Sequence, residues 1–243
     1  FEVDLILPTC EEIFHLAAAA PGQPWQDRLF APSLETLLKL HDKAAFNALV
    51  PEPFAPDFRR LESREDVAEL GDKHLVLKPC FSRFGTQVLV RPTPEQRLCL
   101  NPTPSQPWIA QEYLPGQEVC CSAITVHGLV AALQVYRPRL RLRNGQGAAV
   151  VFESVEAKIT EEIQPFVEAL AGAQGLTGQF SFDLRRAKDG QFKALECNPR
   201  STSGFHFFGP ESGLAAAVSD GASAPATALQ GTVMGEHAPA LLV

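Results

Sequence analysis

The sequence predicts an α+β fold, with capped helices and antiparallel hairpins in separate stretches of chain. Three observations carry this reading. His127-Gly128 and Asp189-Gly190 each sit between two runs of strand-forming residues, where a tight turn joins antiparallel strands. Ser33 and Asp42 each precede a run with helical spacing and can accept from orphan N–H groups at a helix start. The chain has 243 residues, 45% of them apolar, which is long enough for a sizeable core without disulfides or metal staples.

Taken in order, Phe1–Pro8 (FEVDLILP) reads as a buried strand. Thr9 to Glu12 has the T-x-x-E form of a capping box, followed by a helix to about Ala20 that Pro21–Pro24 breaks. This strand–turn–helix opening is of α/β type. Helices follow from Ser33 to Leu40 and from Lys43 to Leu49. A link with Pro51, Pro53 and Pro56 leads to a helix over Ser63–Leu70. His74–Pro79 and Thr86–Arg91 read as a hairpin around Ser82–Gly85, and the proline-rich Pro92–Pro107 as a connector. Trp108–Leu114, Glu118–Val126 and Leu129–Arg143 are strands, Thr160–Ala173 is an amphipathic helix, and Phe180–Arg186 with Gln191–Asn198 form a last hairpin. The Ala-, Gly-, Pro- and Thr-rich stretch beyond Gly221 reads as a loosely packed end.

Charge and cysteine usage narrow the function classes. The balance is 21 − 28 = −7, and an acidic surface argues against non-specific binding to nucleic acid or anionic membrane. No apolar run reaches the roughly 20 residues that span a bilayer. Six cysteines, at 10, 80, 99, 120, 121 and 197, show neither CxxC nor zinc spacing, and no secretory signal is visible. A reduced, cytoplasmic protein is the simplest expectation.

The final hairpin is the most informative segment. With Asp189-Gly190 as a two-residue turn, paired residues sum to 379, so Asp183 faces Glu196. Asn198 and Ser181 share that face, while Phe180, Phe182, Leu184, Leu195 and Cys197 point to a core on the other. Two carboxylates directly opposed are unfavourable unless a cation joins them. The pair is then either a metal site, in which the Asn198 amide adds a third hard oxygen suited to Mg²⁺, or a solvated or lysine- or arginine-paired acidic strand pair. Arg200, just past Pro199, overlooks this face as a phosphoryl or carboxylate contact or as a surface ion pair. Lys78 precedes Ser82-Arg83-Phe84-Gly85-Thr86, a small polar loop that suits phosphate or is an ordinary turn. Gln111–Glu118 (QEYLPGQE) joins two strands through Pro-Gly and can bring free backbone groups and a carboxylate beside a ring and a ribose. Arg137, Arg139, Arg141 and Arg143 alternate strictly, either as a solvated basic strand edge or as a grip for an anionic substrate.

In that order and at that spacing, HDK (41–43), LVLKP (75–79), QEYLPGQE (111–118), FDL (182–184) and ECNPR (196–200) resemble the ATP-grasp superfamily, over about residues 1 to 210. The nearest likeness is to carboxylate–amine ligases and the carbamoyl-phosphate synthase large chain. The resemblance implies two α+β lobes whose antiparallel sheets clasp ATP. It divides the chain into the end of a preceding αβ domain at 1–32, most of which is absent, a small lobe at 33–110 and a large lobe at 111–243 with the metal hairpin.

By the same resemblance, Lys43 and Lys78 match the phosphate-contacting lysines, with Lys78 also catalytic. Ser82, Arg83, Gly85 and Thr86 match the loop over the phosphates. Glu112, Tyr113 and Leu114 match the segment that reads the adenine edge, and Glu118 the ribose carboxylate. Asp183, Glu196 and Asn198 match the ligands of Mg²⁺, with Mn²⁺ as a substitute, and Arg200 the arginine on the transferring phosphoryl group. The loop has less glycine than the family's, with Phe84 where small residues are usual. Arg137 and Arg139 are the candidate substrate contacts. The implied activity is ADP-forming: a carboxylate is activated as an acylphosphate and attacked by an amine. The implied partners are small-molecule carboxylate and amine substrates, with no nucleic acid or membrane and with a homodimer allowed. The rivals are phosphorylation of bicarbonate, as in carboxylases and carbamoyl-phosphate synthesis, and a nucleotide-binding module without turnover.

Overall fold

Alternating burial along the strands builds two antiparallel sheets in the computed structural model, which describes residues 2–71, 73–82, 87–141, 149–219 and 233–235. The first sheet has four strands in the order β1-β4-β2-β3: β1 (Phe58–Leu61), β2 (Leu75–Pro79), β3 (Leu89–Val90) and β4 (Trp108–Glu112). Helices α4 (Arg64–Ala68) and α5 (Pro94–Leu98) cover one face, where Leu61, Val67, Leu75, Leu77 and Leu100 form a core. Ser63 caps α4 through the Asp66 N–H. Thr93 and Gln96 form a full capping box on α5, a helix not expected in the proline-rich connector. Pro94 falls at the first turn, where its missing N–H costs nothing.

The second sheet has six strands in the order β10-β7-β6-β5-β8-β9: β5 (Glu118–Val126), β6 (Leu129–Arg141), β7 (Ala149–Ser154), β8 (Gly178–Arg186), β9 (Phe192–Asn198) and β10 (Val233–Gly235). His127 and Gly128, at φ 49° and 82°, make the tight turn between β5 and β6. Strand β7 was not expected from the sequence. On one face α6 (Ala157–Gln174) buries Ile163, Phe166, Val167 and Leu170 against Val119, Cys121, Phe180, Phe182 and Leu184. Tyr136, Phe152, Phe207 and α7 (Leu214–Ser219) pack on the other face.

The N-terminal helices α1 (Glu12–Ala19), α2 (Leu34–His41) and α3 (Lys43–Leu49) start where the caps predict or close to it. Ser33 caps α2, and Asp42 accepts from the Ala44 and Ala45 N–H groups at the head of α3. At α1 only the carboxylate half of the expected box forms: Glu12 accepts from Thr9 and Cys10, and the helix begins at Glu12 itself. Of the expected strand Phe1–Pro8, whose first residue lies outside the described residues, the structure shows one parallel bridge, Ile6 to Leu29. Of the stretch 33–110, α2 and α3 lie along β9, and Leu40, Phe46 and Val50 join the core of the six-stranded sheet. No helix among the described residues is long and apolar enough to cross a membrane. All six cysteines are free.

Candidate functional site: a carboxylate pair with two buried lysines

The β8–β9 hairpin holds Asp183 opposite Glu196 and Ser181 opposite Asn198, as the arithmetic predicts. It reaches that register by two departures that cancel. The turn is three residues, not two: Ala187 N–H donates to Gln191 O and Gly190 takes φ 90°. Near the turn the pairs therefore sum to 378, as in Arg185 with Lys193. A bulge at Leu195 then adds one residue to β9 and restores 379 at Asp183. Leu195 consequently leaves the core face it was assigned, and Ala194, fully buried, packs there.

The bulge has a consequence for the site. It turns the Leu195 carbonyl toward three donors from other elements: Lys78 Nζ (3.3 Å) on β2, Asn47 Nδ2 (3.3 Å) on α3 and Gln111 Nε2 (3.4 Å) on β4. Gln111 also donates to Asn47 Oδ1 (2.8 Å), and Asn47 to the Lys43 carbonyl (2.6 Å). These two buried amides lock the two sheets and α3 together behind the lysines. Asn47 lies one helical turn after Lys43, a same-face spacing that could have flagged it.

Lys43, on α3, and Lys78, at the end of β2, converge on one carboxylate oxygen. Glu196 Oε2 is 3.4 Å from Lys43 Nζ and 3.7 Å from Lys78 Nζ, and both lysines are buried. Burial raises the Glu196 pKa, but the charges of Lys78 and Lys43 outweigh it and hold the group well below the usual carboxylate range. Among the described residues no lysine or arginine pairs with Asp183, and its pKa goes the other way. Burial and then the charge of Glu196 push it up, with the Cys120 thiol donating to it from β5. Burial likewise pulls Lys78 down, against the charge of Glu196.

Two directly opposed carboxylates, with an amide oxygen on the same strand face, make a hard-oxygen donor set that fits a divalent cation. Among the described residues no cluster of three His, Cys, Asp or Glu side chains offers another metal centre.

Arg200 stands beside this set. Its guanidinium lies 3.4 Å from Asn198 Oδ1 and is paired through Nε to Glu11 (2.9 Å), a partner the sequence did not suggest. His41 lies between Phe14 and Phe81, with ring centroids 5.2 and 5.8 Å away and both rings tilted to it. Burial, then the charges of Lys43 and Arg200, lower its pKa.

The other predicted residues fall into place unevenly. The Ser82 carbonyl accepts from Lys43 (3.2 Å), while Arg83, Gly85 and Thr86 lie outside the described residues. The Glu112 carboxylate accepts from the Asp57 N–H and its own N–H donates to the Asp57 carbonyl, and the Tyr113 N–H donates to the His74 carbonyl. The Leu114 N–H meets no acceptor among the described residues, and its carbonyl takes Arg185 (3.1 Å). Gly116 packs so tightly on the Arg186 carbonyl that a side chain there would clash. Glu118 is held by Arg141 and Arg185.

The arginine row is not a free edge. β6 pairs with β7 there, with two register shifts that break the strict alternation. Arg137 (2.9 Å) and Arg139 (3.5 Å) share Glu153, Arg141 goes to Glu118, and Arg143 is outside the described residues.

Two antiparallel sheets that meet at a lysine–carboxylate cluster define the class, an α+β protein of the ATP-grasp fold. The chain belongs to the ATP-grasp domain family, whose model matches residues 38–204. Among solved structures it is similar to phosphoribosylamine–glycine ligase from Thermotoga maritima, with TM-score 0.68 and 19% identity over 84% of this chain and 60% of that one. It is similar to carboxyaminoimidazole ribonucleotide synthase from Aspergillus clavatus, solved with ATP (TM-score 0.67, 15% identity, 92% of this chain and 62% of that one). A third is the biotin carboxylase domain of 2-oxoglutarate carboxylase from Hydrogenobacter thermophilus, solved with MgADP and bicarbonate (TM-score 0.58, 12% identity, 77% of this chain and 47% of that one). At these identities the likeness is one of fold, and the chain spans less than two thirds of each of these proteins. A comparison with curated protein sequences returned no match.

Proposed function

We propose that the protein is an ATP-dependent, ADP-forming ligase that joins a carboxylate to an amine. The observation that carries this reading is the convergence of Lys43 and Lys78, from two different elements, on Glu196 opposite Asp183. A carboxylate pair alone is a solvated strand, and two buried lysines alone are a cost. Together they form a site where positive and negative groups can be redistributed around a polyphosphate.

In this reading a carboxylate oxygen of the substrate attacks the γ-phosphorus of ATP, the bond to the bridging oxygen breaks, and ADP leaves. The amine then attacks the acylphosphate carbon, phosphate departs, and a proton is released from the nitrogen. Mg²⁺, or Mn²⁺ in its place, supplies charge neutralisation at the phosphate oxygens when held by Asp183, Glu196 and Asn198. Lys43 and Lys78 turn from Glu196 to the phosphates, and Lys78 and Arg200 stabilise charge on the transferring group. Leu114 offers its N–H to the adenine edge beside Tyr113, and Glu118 its carboxylate to the ribose. Of the arginine row, Arg139 has the exposure to meet an anionic substrate, with 57% of its side chain open.

The test is ADP release from the protein with MgATP over a panel of amino acids and other carboxylates, each with and without added amines. Release that requires both a carboxylate and an amine, with a new amide in the products, is the expected result. Bicarbonate-dependent release without any amine would move the assignment to a carboxylase. ATP binding without release across the whole panel would leave only a binding module.

A further inference from the structure

We propose that the four-stranded sheet carries a second ligand site, on the face away from Lys78, for a small organic anion with an apolar body. A cavity of about 800 Å³ opens there between α4, α5 and the ends of β2 and β3. That volume is in the range of small-molecule sites. The alternation of β2 separates it from the carboxylate cluster. Lys78 faces Glu196, whereas Leu75 and Leu77 face the core under α4 and α5 that supplies the cavity's Val67 and Leu100. None of the residues of the carboxylate–lysine site lines it.

The lining is one-sided in charge. Arg64, Lys73, His74, Arg91 and Arg97 contribute to it, and among the described residues no acidic side chain does. None of the five has a carboxylate partner among the described residues, although the chain carries 28 acids to 21 lysines and arginines. Arg59 and Arg60, next to them in the chain, are paired to Asp66, Glu69, Asp42 and Glu62. Local carboxylates therefore neutralise those neighbours and leave the cavity positive.

Arg64 uses Nε on Asn101 (2.9 Å), which leaves its terminal nitrogens without a partner among the described residues. Arg97 is fixed by the carbonyls of Gly71 and Lys73, and its Nε is the one buried side-chain donor among the described residues with no acceptor. Arg91 is held in the left-handed region at φ 50° with its guanidinium 4.9 Å above the Tyr113 ring. Such a gathering repels itself in the absence of an anion. A concave wall of one sign also concentrates its potential on a ligand of the other.

The apolar part of the lining specifies the rest of the ligand. Val90 and Leu98 are 55% and 79% exposed at the mouth, an arrangement a bare inorganic anion does not use. Guanidinium groups above an apolar floor suit a phosphate or carboxylate on a ring or chain.

The site is tested on the full chain with 1-naphthyl phosphate as probe, followed by backbone amide chemical shifts. Shifts centred on Gly71, Lys73, His74, Arg91 and Arg97 are expected, with inorganic phosphate and uncharged 1-naphthol each binding at least tenfold more weakly. The exposed double change Arg64→Gln/Arg91→Gln should weaken the probe at least tenfold with an unchanged thermal midpoint. Lys73→Gln serves as a second variant should the double change lose its fold. Glu196→Gln should leave the probe's affinity as it is, which keeps this result separate from the nucleotide reading. Shifts confined to the surroundings of Lys43, Lys78 and Glu196, or affinity unmoved in the arginine and lysine variants, would overturn the proposal. So would inorganic phosphate binding as tightly as the probe, or an oligoglutamate peptide binding more tightly than it, which would mark a docking face for an acidic protein.

Discussion

Two runs of like charge in the six-stranded sheet are resolved in opposite ways. On β6, the shifts around Pro138 and Leu140 break the row of arginines, and each described arginine finds a carboxylate on a nearby strand. On β8 and β9, the register holds Asp183 and Glu196 directly opposed. Among the described residues Glu196 alone of the two forms ion pairs there, with lysines from α3 and β2, far away in sequence. Where charge is settled by neighbouring strands, the result is a stable sheet. Where it is left to groups from another layer, the result is a site that a ligand's charge can rearrange.

The sharpest way to break this comparison is Glu196→Gln. The change keeps shape and removes the charge that both lysines face. Carboxylate- and amine-dependent ADP release should fall by on the order of a hundredfold or more, with the residual rate needing more Mg²⁺. The circular dichroism spectrum should not change. Near-normal turnover at ordinary Mg²⁺ would remove Glu196 from the metal assignment.

An intermediate effect is expected at Asp42, which caps the helix that delivers Lys43 and pairs with Arg60 at 2.7 Å. Asp42→Ala should cost about 1–2 kcal/mol, read as a lower urea midpoint at neutral pH. Burial raises the Asp42 pKa, but Arg60 and the Ala45 and Ala44 N–H groups outweigh it and hold the folded value below the ordinary 3.8 of an aspartate. A depressed folded pKa means that the group's stabilisation is complete above the unfolded value. It is lost as the pH falls from about 4 through the folded value. The gap between wild type and variant should therefore close in acid. A gap that is constant from pH 7 to pH 3 would show that the carboxylate charge is not what holds the cap.

The smallest effect belongs to the arginine row. Glu153→Gln removes the shared partner of Arg137 and Arg139, both part-exposed, and should cost about 1 kcal/mol at most. ADP release should stay within a factor of two of wild type. A tenfold loss would mean that the row belongs to the substrate site and that the two regions are less different than their geometry makes them.

The β8–β9 hairpin shows both the reach and the limit of sequence reading. The alternation of Phe180, Phe182 and Leu184 against Ser181 and Asp183 is local, so the face of each residue was legible. The pairing of Asp183 with Glu196 was also legible, but the turn length and the Leu195 bulge that produce it were not, because only their sum reaches the carboxylates. Strand β7 went unread although Asn144-Gly145 precedes it, because Ala149–Phe152 is a continuous apolar run without period-two alternation, and α5 because prolines mask a capping box. That the chain entering β1 takes both the carboxylate and the N–H of Glu112 was not legible, because Asp57 is 55 residues away in sequence.

By itself, the sequence determined what depends on a few adjacent residues. Ser33 and Asp42 fixed the starts of α2 and α3, His127-Gly128 fixed the β5–β6 turn, and the order of five short motifs fixed the family. Tertiary structure alone decided what depends on groups far apart in the chain. Lys78 and the Leu195 carbonyl are separated by 117 residues, Asn47 and the same carbonyl by 148, and Arg200 and Glu11 by 189. No local preference encodes such contacts. They form because the two cores, once packed, leave a part-buried carbonyl and a half-buried carboxylate that must find donors, and these are the donors the packing brings within reach.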